Sequence, residues 1–115
     1  MIESANVLDY LNQKSTIFES LHHYNIVDQL FHFSFNTKFY VITEFIKNKQ
    51  TLQEIISSSG PLSEENTKFI IRQLHEAIKY LHNKNISHLG LKLKNLFMIN
   101  TRLKVKFLYY RFNFI

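Results

Sequence analysis

The chain contains no cysteine, which excludes disulfides, thiolate metal sites and a cysteine nucleophile. That fits a reducing compartment. Glycine and proline are nearly as rare, at two and one residues in 115, so most turns must be made by other residues. The one strong break is Ser57-Ser58-Ser59-Gly60-Pro61, near the middle of the chain. Carboxylates stop early: nine Asp and Glu face fourteen Lys and Arg, and none follows Glu76. Lys92, Lys94, Arg102, Lys104, Lys106 and Arg111 all lie beyond it. The formal charge of +5 admits nucleic acid, but a solvated basic face explains it as well, and nucleic acid is not the expected partner. No apolar run approaches the roughly 18 residues that a membrane span requires. Met1 to Asn6 also lack the basic and apolar regions of a secretory signal. The expectation is a cytoplasmic protein with no membrane partner.

What is present suits a folded domain. Hydrophobic residues at 45% against 20% charged separate the chain from disordered sequences. Its length allows one domain, burying roughly two-thirds of the surface of the unfolded chain.

The clearest element is a helix over 63–83. Ser63 can cap it, and Glu64 and Glu65 occupy the first turn, where the helix dipole favours negative charge. Ile70, Leu74, Ala77, Ile78 and Leu81 form one apolar face. Phe69, Ile71 and Tyr80 lie off that face, and an exposed apolar patch there implies self-association, a partner or poor folding. Val7, Leu8, Leu11, Ile17, Phe18 and Leu21 suit a helix over 4–21. Ile26 to Phe35 and Lys38 to Phe45 read as a hairpin turning at Asn36-Thr37. A short helix is expected over 51–57, and a second hairpin over 96–99 and 103–107. The order is an α+β pattern.

This order, with the residues at its joints, resembles the middle of a eukaryotic protein kinase domain of the Ser/Thr type. His88-Leu89-Gly90-Leu91-Lys92-Leu93-Lys94-Asn95 follows the family pattern H-R-D-L-K-x-x-N at His88, Leu91, Lys92 and Asn95. His23-Tyr24-Asn25-Ile26-Val27 is similar to the turn after the family's C-helix, and Phe39 to Phe45 to strand five entering the hinge. Leu52 to Ile56 and Gly60 to Glu64 match the D helix and the start of the E helix. The resemblance covers most of residues 10–107. It implies a partial kinase-like fold: C-helix, strands four and five, D and E helices, catalytic loop, and strands seven and eight. The first three strands and most of the C-lobe are expected to be missing, with 1–47 a remnant of the N-lobe and 48–115 the start of the C-lobe.

Phosphoryl transfer demands positioning and charge neutralisation. The resemblance implies a catalytic Asp where this chain has Gly90, an Arg where it has Leu89, and a C-helix Glu where it has Lys14. The D-F-G segment should fall after Val105, but Phe107-Leu108-Tyr109-Tyr110-Arg111 offers no carboxylate. The catalytic loop is thus degenerate at His88, Gly90, Lys92 and Asn95. The resemblance leaves Asn95 as a magnesium ligand and Lys92 as a phosphate contact, and it puts Thr43, Glu44 and Phe97 around an adenine pocket. Each has a plainer reading: Asn95 as a turn former, Lys92 and Lys94 as a solvated face, Thr43 and Glu44 as packed strand residues, His88 as a structural histidine. His22, His23, His32, His75 and His82 show no metal-binding spacing.

Phe107 to Ile115 interleaves basic and aromatic residues. Such a segment can stack on single-stranded nucleic acid, but a strand that has lost its partner or an out-of-place reading frame after a truncation is the expected account. The expectation is a kinase-like fragment without phosphotransfer, binding neither ATP nor magnesium unless residual nucleotide affinity survives. The alternatives are a regulatory module docking on another kinase and an ATP-binding Ser/Thr kinase.

Overall fold

Apolar residues at helical spacing start the chain as helix α1, Ser4–Glu19, in which Leu8, Leu11, Ser15 and Phe18 turn inward and Val7 and Ile17 stay exposed. The structure is a computed structural model and describes residues 4–47, 49–88, 91–105 and 112–114. The helix is shorter than the 4–21 expected. Ser20 and Leu21 donate instead to the carbonyls of Ile17 and Phe18, a tightening typical of helix ends. The chain divides into two compact units: residues 1–22 with 28–45, and residues 23–27 with 46–115.

In the first unit, α1 packs on an antiparallel hairpin of β1, Gln29–Phe35, and β2, Lys38–Thr43. The hairpin was expected to run from Ile26 to Phe45. It is shorter because the 23–27 segment is held elsewhere and Phe45 lies almost wholly in solvent. Asn36 and Thr37 make the turn with φ of 50° and 62°. Positive φ at both central positions is the geometry that matches strand twist. Asn tolerates it; β-branched Thr37 is strained there. Phe31, Phe33 and Tyr40 share one face, with stacked rings at 6.2 Å and 4.9 Å, and all are exposed. On the other face His32 meets the Glu19 carboxylate of α1, which also accepts from the Gln29 amide at 3.2 Å.

The second unit is built on a three-stranded sheet in the order β3, Gln50–Thr51; β5, Leu96–Ile99; β6, Arg102–Val105. The 96–99 strand and the hairpin turn occur as expected, but the last strand ends at Val105, and Lys106 and Phe107 lie outside the described residues. Thr51 caps α2, Leu52–Ser59: its hydroxyl accepts from Glu54 N–H while the Glu54 carboxylate reaches back to Thr51 N–H. Gly60 ends α2 at φ 80°, where a side chain would be strained. Ser63 caps α3, Glu64–Asn83, by accepting from Asn66 N–H. The helix stops as Lys84 and Asn85 fold back onto the carbonyls of Leu81 and His82, with Asn85 at φ 62°. Beyond it, β4, Ile86–His88, pairs antiparallel with β7, Phe112–Phe114.

Ile70, Ala77 and Leu81 of α3 are buried, as are Ile26, Ile86, Leu96, Leu103 and Val105. This matches the apolar face expected for 63–83, although Leu74 and Ile78 are only half-buried. Phe69 and Ile71 are exposed as expected. Tyr80 is not: it is half-buried, its ring 5.0 Å from that of His23. Among the described residues, no helix is long and apolar enough to cross a membrane.

Candidate functional site

The expected site residues fall into both units. Thr43 ends β2 in the first unit with its side chain exposed; its hydroxyl donates to the Glu44 carbonyl at 3.4 Å. Glu44 is half-buried, and its N–H donates to the Asp28 carbonyl at 2.9 Å, which continues the strand pairing by one bond. Lys14, at the position where the resemblance expects a Glu, lies over the ring of Tyr10 one helical turn earlier, 5.0 Å from its centroid. Burial lowers its pKa from the ordinary lysine value.

The second unit holds the remainder. A 3-10 turn, Leu93–Asn95, leads into β5, and Asn95 N–H donates to the Lys92 carbonyl at 2.9 Å. Leu91 to Lys94 are exposed and Asn95 to Met98 are buried, so the boundary between solvent and core falls at Asn95. Lys92 and Lys94 are therefore exposed, a placement that a solvated face and a phosphate contact share. Phe97 is buried, paired in register with Thr51 and Lys104, with the Lys49 ammonium 5.0 Å from its ring centroid. His88 contributes its backbone to β4. Leu89, Gly90 and the segment 106–111, where the resemblance expects the Arg, the catalytic Asp and the D-F-G segment, lie outside the described residues.

A polar cluster that the periodicity did not reveal anchors the second unit. The Asn25 amide donates to Gln73 Oε1 at 2.8 Å and to the Leu103 carbonyl at 2.9 Å. Gln73 Oε1 also accepts from Leu103 N–H, while its own amide donates to the Thr101 carbonyl. Backbone bonds between Asn25, Val27 and Val105, at 2.9 Å and 3.0 Å, lay the segment 25–27 parallel to β6. Arg102 stacks on Tyr24 at 3.8 Å and donates to its carbonyl; the Lys104 ammonium donates to the Ile26 carbonyl at 3.3 Å. The one sequence signal for this was Asn25 itself, a residue that favours loops placed between apolar neighbours. Gln73 gave none, because on a helix it reads as a surface residue.

A groove of about 230 Å³ opens on the same unit, lined chiefly by Leu52, Ile55, Leu62, Phe69, Ile70 and Met98. Among the described residues, no three His, Asp or Glu side chains are grouped to hold a metal ion.

Comparisons with known proteins match this architecture. Residues 4–108 match the model of the protein kinase domain family. A probable serine/threonine-protein kinase PLK of Dictyostelium discoideum is 38% identical over 104 residues, covering 90% of this chain and 10% of that protein. Serine/threonine-protein kinase 33 of Bos taurus is 35% identical over 92 residues, covering 80% of this chain and 19% of the relative. The chain thus spans between about a tenth and a fifth of the length of these two curated relatives. Among solved structures, a crystal structure of Rad53 residues 1–466 in complex with AMP-PNP superposes with a TM-score of 0.81 at 26% identity, covering 85% of this chain and 27% of that one. With this fold, and with the family model spanning nearly its whole length, the chain belongs to the protein kinase family as part of a Ser/Thr-kinase-like domain.

Proposed function

We propose that this kinase-like domain does not transfer phosphate. The observation that carries the reading is Gly90 at the catalytic-Asp position, in a stretch from Ala77 to Ile115 that contains no carboxylate. A kinase needs one carboxylate to receive the substrate hydroxyl proton and another to hold magnesium. Loss of a general base alone costs about 10²–10⁴ in rate. Magnesium prefers carboxylate and phosphate oxygens, and the neutral amide of Asn95 does not fit it as the sole protein ligand. Lys14, where the resemblance expects the C-helix Glu, reverses the charge at that position as well.

The test is incubation of the purified chain with Mg-ATP, labelled in the γ-phosphate, and a generic protein substrate. No incorporation is expected, and Gly90→Asp alone is not expected to restore it, because a metal carboxylate is still lacking. Metal-dependent incorporation above that of a heat-inactivated sample overturns the reading.

A second reading, a binding module for another kinase or for a second copy, draws support from the exposed side chains of Phe69 and Ile71, 48% and 54% accessible. Light scattering on the chain and on Phe69→Ser tests the self-association arm. A concentration-dependent mass that the substitution abolishes supports it, and a monomer at all concentrations sinks it.

A further inference from the structure

The segment 23–27, bonded along β6, starts in a tight turn. His23 opens it: Ile26 N–H donates to the His23 carbonyl at 3.1 Å, and Asn25 N–H donates to His23 Nδ1 at 3.0 Å. Since Nδ1 accepts, it is unprotonated, and the ring proton sits on Nε2. The turn presents Asn25, whose side chain meets Gln73 and the Leu103 carbonyl and whose backbone bonds Val105.

We propose that His23 is a proton-sensitive latch: a proton on Nδ1 replaces the acceptor of Asn25 N–H with a donor, and so loosens the 23–27 segment from β6.

The surroundings favour this response. Tyr80 and Glu76 approach the imidazole from α3, and Lys104 from β6. The ammonium of Lys84 lies over the Tyr80 ring, 5.7 Å from its centroid, and neighbouring His22 is drawn towards Asp28 at 3.6 Å. Burial is the largest influence on His23 and lowers its pKa from the ordinary 6.5; Glu76 opposes it and Lys104 reinforces it. A histidine lowered in this way stabilises the fold fully above its unfolded value. That contribution fades as pH falls below 6.5 towards the folded value.

The test is amide exchange of the full chain, followed residue by residue by NMR at about pH 7.5 and about pH 5, either side of the ordinary imidazole value. Protection at Asn25, Val27 and Val105 is expected to fall about tenfold on acidification, the worth of roughly one net hydrogen bond. In His23→Asn the side-chain oxygen can still accept from the N–H two residues on, as in an Asx turn, but cannot titrate. That variant should keep protection at both pH values, whereas His32→Asn should behave as the wild type. Equal loss in His23→Asn, or no loss in the wild type, overturns the proposal. So does an imidazole spectrum showing His23 with its proton on Nδ1 at neutral pH, a readout that needs no variant.

Discussion

Hairpin β1–β2 has strands of seven and six residues and leaves Leu30, Phe31, Phe33, Phe35 and Tyr40 exposed. Hairpin β5–β6 has strands of only four residues each, yet buries Leu96, Phe97, Met98, Leu103, Val105 and even Lys104. Both are rich in aromatic or aliphatic residues, and both turn at an Asn with positive φ. The difference lies in what lies alongside. In its own unit the first hairpin has α1 on one face, and its aromatic ladder faces the other way. The second has β3 on one edge, the 25–27 segment on the other, and α3 packed against β6. Strand propensity is a local property of the chain, but burial depends on neighbours supplied from elsewhere in it.

The sharpest way to break the contrast is Leu103→Ala, at a side chain with no exposed surface, which should cost about 2–5 kcal/mol in denaturant unfolding of the second unit. A loss below 1 kcal/mol would mean that β6 is not the core strand described above. Asn25→Ala comes next, at about 1–3 kcal/mol, because it removes the side-chain donor of the buried Leu103 carbonyl and one of the two donors to Gln73 Oε1. Gln73→Ala should give a similar cost, and a double variant no worse than either single one would show that the two act as a unit. In the first hairpin the direction reverses. Thr37→Gly relieves a β-branched residue at φ 62° and should stabilise by about 1 kcal/mol, read as a rise in the unfolding midpoint. Smallest of all, Phe35→Ser on the exposed end of the aromatic ladder should change stability by about 0.5 kcal/mol or less. A larger loss would show the ladder to be covered in solution.

Much of the second unit was legible in the chain itself. Ser63 with Glu64 and Glu65 announced the start of α3, and the spacing from Ile70 to Leu81 announced its face. Gly90 can be read against the family motif in the same way, but it lies outside the described residues. The boundaries in the first half were less legible. Ile26 and Val27 are β-branched and read as the beginning of β1, but their backbone is used beside β6, almost eighty residues away. Tyr80 looked like a residue left outside, and it found His23.

Local chemistry was therefore enough for the helices, the Ser63 cap and the Asn36-Thr37 turn, because each depends on residues within a turn or two of one another. Only tertiary contact decided that Gln73 and Asn25 share hydrogen bonds, that Lys104 is buried with its ammonium on the Ile26 carbonyl, and that the shorter hairpin rather than the longer one forms the core. Hydrophobic periodicity reports which face of an element seeks cover; it carries no record of the distant segment that provides it.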